Sequence, residues 1–163
     1  MRQRTAVLLM LGFMPWAGLH AQGQTAQTTF KVTTKVQAVC NVTAVDLAFG
    51  TYTSAAGTPL QSTTLLRTTC TPGSTYNVGL NEGTTTGATV NQRKMAAGAN
   101  SLNYQLYSDP ARSVIWGNTT GTNTVTGAGT GLPVDHTVFG AVPANQVVPA
   151  GDYQDTITVR VYY

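Results

Sequence analysis

Gly151-Asp152-Tyr153-Gln154-Asp155-Thr156-Ile157-Thr158-Val159-Arg160-Val161-Tyr162-Tyr163 closes a 163-residue sequence with a strict alternation. Ile157, Val159, Val161 and Tyr163 fall on one face, and Thr156, Thr158, Arg160 and Tyr162 on the other. A period of two is the mark of a half-buried β-strand, and Ala150-Gly151-Asp152 reads as the turn leading into it. The same pattern stands near the other end. Phe30, Val32, Thr34 and Val36 share a face, while Lys31, Thr33, Lys35 and Gln37 point the other way. Between these ends lie further short strand patterns: Val42, Val45, Leu47 and Phe49 up to Gly50; residues 62–71 with Leu65, Leu66 and Cys70; Tyr76, Val78 and Leu80; Leu102, Tyr104 and Leu106; residues 113–116; and residues 136–142. Pro72-Gly73 and Asp109-Pro110 punctuate them, and residues 118–131, rich in Thr, Gly and Asn, read as a surface loop. Seven or eight short strands without a helical period predict an all-β, antiparallel sandwich. Well-patterned strands at both ends leave exposed edges, which invite pairing with another chain.

Composition agrees. Charged residues make up 9%, against about 25% in an average soluble domain. Glu82 is the sole glutamate, threonine is the commonest residue and there are 17 glycines, which favours strands and turns over helices. The net charge is +3, but Arg2 and Arg4 sit at the extreme N-terminus, and without them the balance is nearly even. No basic cluster remains, so a nucleic-acid partner is not expected. Residues 1–21 read as a secretory signal: two arginines, an apolar stretch too short to span a bilayer and broken by Pro15, then Leu19-His20-Ala21 before a cleavage point at Gln22. The expected division is a signal at 1–21, an extension at 22–38 and one domain at 39–163. In an exported chain, Cys40 and Cys70 are expected to form a disulfide. The loop of about 30 residues would contribute roughly 3–4 kcal/mol in the chain-entropy account.

Catalytic signatures are weak. Asp135-His136 lacks the Gly-x-Ser-x-Gly elbow of a hydrolase. Asp152 and Asp155 read as turn-capping residues before the last strand. Cys40, Cys70 and His136 fall short of a zinc set. Tyr104, Tyr107 and Trp116 read as core aromatics, with a sugar-binding patch as the alternative. No enzyme activity, metal or cofactor is expected.

Several motifs together resemble the spore coat protein U domain family, which includes the pilins of archaic chaperone–usher (Csu-type) pili. These are Leu47-Ala48-Phe49-Gly50-Thr51-Tyr52, Thr69-Cys70-Thr71, the run from Leu102 to Asp109 followed by Trp116-Gly117, Val138-Phe139-Gly140-Ala141-Val142-Pro143 and, most specific, the closing Gly-Asp-Tyr-x-Asp-Thr-x-x-Val. The resemblance implies an incomplete immunoglobulin-like sandwich completed by a donor strand from outside the domain. Phe30, Val32, Thr34 and Val36 would be the donor side chains, and Ile157, Val159, Val161 and Tyr163 would lie on the strand bordering the groove. A basic site on the chaperone would hold the terminal carboxylate. The implied partners are a periplasmic chaperone, an outer-membrane usher and neighbouring subunits in a head-to-tail polymer. The implied role is that of a surface fibre subunit, exported through the periplasm and supporting adhesion and biofilm formation. A spore-coat or extracellular matrix protein and a sugar-binding adhesin domain are the alternative roles.

Overall fold

The computed structural model describes residues 23–163, so the expected signal at residues 1–21 lies outside the described residues. The chain divides into two units between Lys35 and Val36. In the first, residues 23–35 carry no regular secondary structure. Phe30 is 87% and Val32 84% exposed, so these apolar side chains are left without cover.

The second unit is all-β, with eight strands and no helix among the described residues: β1 (Cys40–Ala44), β2 (Leu60–Cys70), β3 (Thr75–Leu80), β4 (Arg93–Ala97), β5 (Asn100–Tyr107), β6 (Val125–Ala128), β7 (Val134–Val142) and β8 (Val159–Tyr162). They form a five-stranded sheet ordered β1-β2-β7-β5-β4 and a three-stranded sheet ordered β6-β3-β8. Every pairing between strands is antiparallel. Alternation explains the layering. Tyr76, Val78 and Leu80 of β3 face Leu66 of β2, Leu102, Tyr104 and Leu106 of β5, and Val138 and Val142 of β7 across one buried core. Trp116 fills its centre at 1% exposure and donates its indole N–H to Val78 O at 2.8 Å. Cys40 and Cys70 are opposite partners at the end of the β1–β2 ladder and are joined by a disulfide.

Two expectations need correction, and one strand lies where the sequence pattern assigned none. Residues 113–116 form no strand, only an isolated bridge between Tyr107 and Ile115, because the Asp109 carboxylate draws Ser113 N and Val114 N into a turn. The Thr/Gly-rich stretch 118–131 is not all loop. It holds β6, where Gly127 leaves room for the Tyr76 ring lying across it. The segment before Ala97 contains β4, which the sequence reading left unassigned.

The start of β4 also holds the least expected core residue. Arg93 is 0% exposed. Its Nε donates to Asn81 O at 2.8 Å, Nη1 to Gln105 Oε1 at 2.6 Å and Val90 O at 3.3 Å, and Nη2 to Trp116 O at 2.7 Å and Leu80 O at 3.0 Å. All the N–H groups of a guanidinium are thereby used. Burial lowers its pKa to about 10, so it remains charged at neutral pH. Replacing Arg93 by Met would leave Leu80 O, Asn81 O and Trp116 O without their guanidinium donor, while Val90 O and Gln105 Oε1 keep Gln105 Nε2 and Leu106 N. The expected loss is about 3–5 kcal/mol of stability by chemical denaturation, against little change for Arg160→Met on the exposed side of β8.

Candidate functional site

The short sheet ends at β8, and among the described residues no strand is hydrogen-bonded to the far side of that edge, although β1 passes near it. Just ahead of β8, residues 153–158 run extended past the corner of the sandwich. Gln154 exchanges both backbone hydrogen bonds with Ala96 of β4, and Thr158 O accepts from Asn81 N. The Asn81 side chain accepts from Thr158 N at 2.8 Å. In an extended chain, neighbouring residues aim their backbone groups to opposite sides. Gln154 and Thr158 therefore bond toward β4 and β3, and Tyr153, Asp155 and Ile157 turn their N–H and C=O groups the other way.

That other way is a cleft of about 420 Å³. One wall is residues 153–159. The opposite wall is residues 44–49, which continue from β1 beside β2, with Val45 N bonding to Leu65 O and the hydroxyls of Thr64 and Ser62 donating to Val45 O and Ala48 O. The floor is the core itself, with Leu66, Leu80, Leu106 and Val138 lining it. A second cleft of about 680 Å³ continues past Tyr52 and Val148 and shares Leu47, Phe49, Met95 and Tyr153 with the first. Together they form a groove along the open side of the sandwich. Gly140 of β7 makes room for one wall, since a Cβ there would stand 2.6 Å from Leu47 Cδ2 and 2.8 Å from Phe49 Cζ.

Asp155 pins the other wall. Its Oδ1 accepts from Thr84 N at 2.8 Å and from Thr84 Oγ1 at 3.0 Å, and its Oδ2 accepts from Tyr104 OH at 2.7 Å. Gly83, at φ +95°, is the residue that lets this carboxylate approach, since any Cβ would overlap it. Burial and the bond to Asp155 raise the Tyr104 pKa, so the phenol stays protonated and donates. Asp155 thus clamps a wall of the groove and does not cap the preceding turn, as its sequence position had suggested.

The residues singled out in the sequence are distributed as follows. Ile157 and Val159 line the cleft. Val161 pairs opposite Val78 and packs on the core, while Tyr163 lies beyond β8 at 61% exposure. Val36 is 78% exposed, and Thr34 is exposed as well. Tyr104 and Trp116 are buried, so with the half-buried Tyr107 they form no exposed aromatic face. His136 Nε2 lies 3.0 Å from Thr68 Oγ1 and 3.2 Å from Tyr76 OH, whereas the Asp135 carboxylate is held by Arg67 at 2.6 Å. The histidine is therefore part of a polar knot between the sheets, without the Asp–His–Ser geometry of a hydrolase. Sequence reasoning missed Arg93 and the clamping role of Asp155. The one available signal for Arg93 was its place in an Arg93, Met95, Ala97 alternation.

Comparison with known proteins follows the same lines. The Spore Coat Protein U domain model matches residues 26–160. The chain belongs to the spore coat protein U domain family. One relative is Protein U of Myxococcus xanthus, 34% identical over 174 residues, an alignment covering 98% of this chain and 94% of that protein. Among solved structures, a chain in the CsuC–CsuE chaperone–tip adhesion subunit pre-assembly complex from archaic chaperone-usher Csu pili of Acinetobacter baumannii superposes with a TM-score of 0.55. The identity is 24%, over 78% of this chain and 40% of that one, so the present chain spans less than half of its length. The shared architecture is an all-β sandwich of two antiparallel sheets.

His136 gives this spore coat protein U domain a pH dependence. Burial lowers its pKa, and Asp135 offsets this only in part. The unfolded chain then takes up the proton more readily than the folded one. Stability from this residue is complete above the unfolded value of 6.5 and is lost as pH falls below it toward the lower folded value. The melting temperature should decline with acidification below about pH 6.5, and His136→Gln should flatten that decline.

Proposed function

We propose that this chain is a structural subunit of a chaperone–usher surface fibre, assembled by donor-strand exchange. The carrying observation is the groove between residues 44–49 and 153–159, which reaches down to core side chains of both sheets and has one row of strand backbone facing it. Strand addition satisfies both needs at once, through main-chain hydrogen bonds and through alternate side chains set into pockets. The strand supplied to the next subunit is residues 30–36, with Phe30, Val32, Thr34 and Val36 facing inward. Their exposure in the free chain supports this, and burying Phe30, Val32 and Val36 would contribute roughly 1.5–3 kcal/mol each before ordering costs. Exchange from copy to copy is heterologous and does not close, so it yields a fibre.

On this reading residues 1–21 direct export, residues 22–38 carry the donor strand and residues 39–163 form the accepting domain. Ile157 and Val159 border the accepted strand, and Val161 and Tyr163 extend the bordering strand beyond it. A periplasmic chaperone fills the groove before assembly at an outer-membrane usher. The complex of a chaperone with the Csu tip subunit in the structural neighbour supports that partner. Adhesion and biofilm formation belong to the assembled fibre at the cell surface. The similarity to Protein U over nearly the whole chain favours one second reading, an extracellular coat built by the same exchange.

The test is thermal unfolding of a chain beginning at Ala38, with and without a synthetic peptide of residues 28–37. A large rise in melting temperature with the wild-type peptide, absent when Val32 in the peptide becomes Asp, is the expected result. A truncated domain that is already stable and indifferent to the peptide would mean a complete sandwich and would overturn the proposal.

A further inference from the structure

The accepting groove has a polar point in an otherwise apolar row. Along residues 153–159 the half-buried, inward-facing positions are Tyr153, Asp155, Ile157 and Val159, while Gln154, Thr156 and Thr158 are exposed. Asp155 is therefore the one charged side chain in the inward row. Asp46, on the opposite wall, is exposed at the rim, and the Thr64 hydroxyl already donates to Val45 O. The segment proposed as donor has the same composition: four facing positions, of which Phe30, Val32 and Val36 are apolar and Thr34 alone is polar.

A carboxylate has about four lone-pair sites, and three of those on Asp155 are taken by Thr84 N, Thr84 Oγ1 and Tyr104 OH. One remains on Oδ2, and the Tyr104 oxygen, which donates to Asp155, keeps an acceptor site of its own. An inserted strand would strip water from both. An apolar side chain there would leave a carboxylate without its last partner in a dry groove, which is unfavourable. A hydroxyl satisfies it.

We propose that the pair Thr34 and Asp155 with Tyr104 is the register key of strand exchange, the Thr34 hydroxyl of one copy donating to the Asp155–Tyr104 point of the next. This rests on the reading of the groove as a donor-strand acceptor. It also selects a direction. With the donor antiparallel to residues 153–159, as at every pairing between strands in this sandwich, Phe30 lies beside Val159, Val32 beside Ile157, Thr34 beside Asp155 and Val36 beside Tyr153. All four donor side chains then fall within the same cleft. A parallel donor with Thr34 in place would set Phe30 beside Gly151, beyond the first cleft and in the second. A slip of two residues either way would set a valine against the carboxylate, so a single polar contact penalises every near-miss register.

The experiment uses the exported chain carrying Val32→Asp, which keeps its own segment out of the groove, as acceptor for synthetic peptides of residues 28–37. Wild-type and Thr34→Ser peptides should bind alike, and Thr34→Val should bind about tenfold more weakly. These changes lie in the peptide, so no folding defect can imitate them. A Val36→Cys peptide should form a disulfide with a Tyr153→Cys acceptor and not with an Ile157→Cys acceptor, where the parallel direction would place it. A Thr34→Val peptide that binds as tightly as wild type, or a cross-link at Ile157 instead, would overturn the register key while leaving strand exchange intact. Failure of every peptide to bind would remove the acceptor reading and the key together.

Discussion

A guanidinium buried between two sheets holds this sandwich at its open corner. Arg93 enters from β4, the edge of the larger sheet, and reaches the ends of β3, the middle of the smaller one, through Leu80 O and Asn81 O. Gln105 Oε1, Trp116 O and Val90 O complete its shell. None of these acceptors carries a full charge. The cation is solvated by carbonyl dipoles, as water would solvate it, and the nearby Asp155 helps to keep it ionised. Such an arrangement is costly to disturb, because removing the charge orphans several buried oxygens at once. It also fixes the distance between the sheets at the place where no strand does so.

The groove follows from how the chain leaves that corner. Residues 153–158 begin beside β4 and end beside β3, crossing from one sheet to the other. A segment that changes sheets can satisfy its backbone on one side only, and its other side is left as an edge. The clamp formed by Asp155, Thr84 and Tyr104 holds that edge straight and keeps it from collapsing onto the core. The opposite wall is held by two hydroxyls of β2 and lies over Gly140. Pinned walls over an apolar floor are what the proposed acceptor requires, since little reorganisation would then be needed for a strand to enter.

Most strands were legible because their pattern is local. Tyr76, Val78 and Leu80, or Leu102, Tyr104 and Leu106, alternate visibly, and burial follows the alternation. The misread stretches are those where tertiary contacts override local chemistry. β6 is a Thr/Gly run that becomes a strand because Gly127 admits the Tyr76 ring. Residues 113–116 look like a strand but are gathered by the Asp109 carboxylate, whose pKa is lowered by the backbone N–H of Val114 and the groups of Ser113 that it accepts from. Of the site, Ile157 and Val159 could be placed from sequence by period alone. Arg93 could not, because a charged residue on an apolar face has no meaning until its acceptors are assembled from the separate segments of Leu80 and Asn81, Gln105 and Trp116. The role of Asp155 was hidden for the same reason: its partners are Thr84 and Tyr104, far away in the chain.

The disulfide has a mechanical consequence. Cys40 begins β1 and is bonded to Cys70 at the end of β2, the longest strand of the sandwich and one paired along most of its length with β7. The residues proposed to lie in a neighbour's groove come shortly before Cys40. In the proposed fibre, a pull would thus enter each subunit at a covalent staple. The load passes directly into the central β2–β7 ladder, and β1 cannot be peeled away rung by rung from its free end. Backbone hydrogen bonds in that ladder are then loaded together in shear, which a short edge strand such as β1 could not withstand alone.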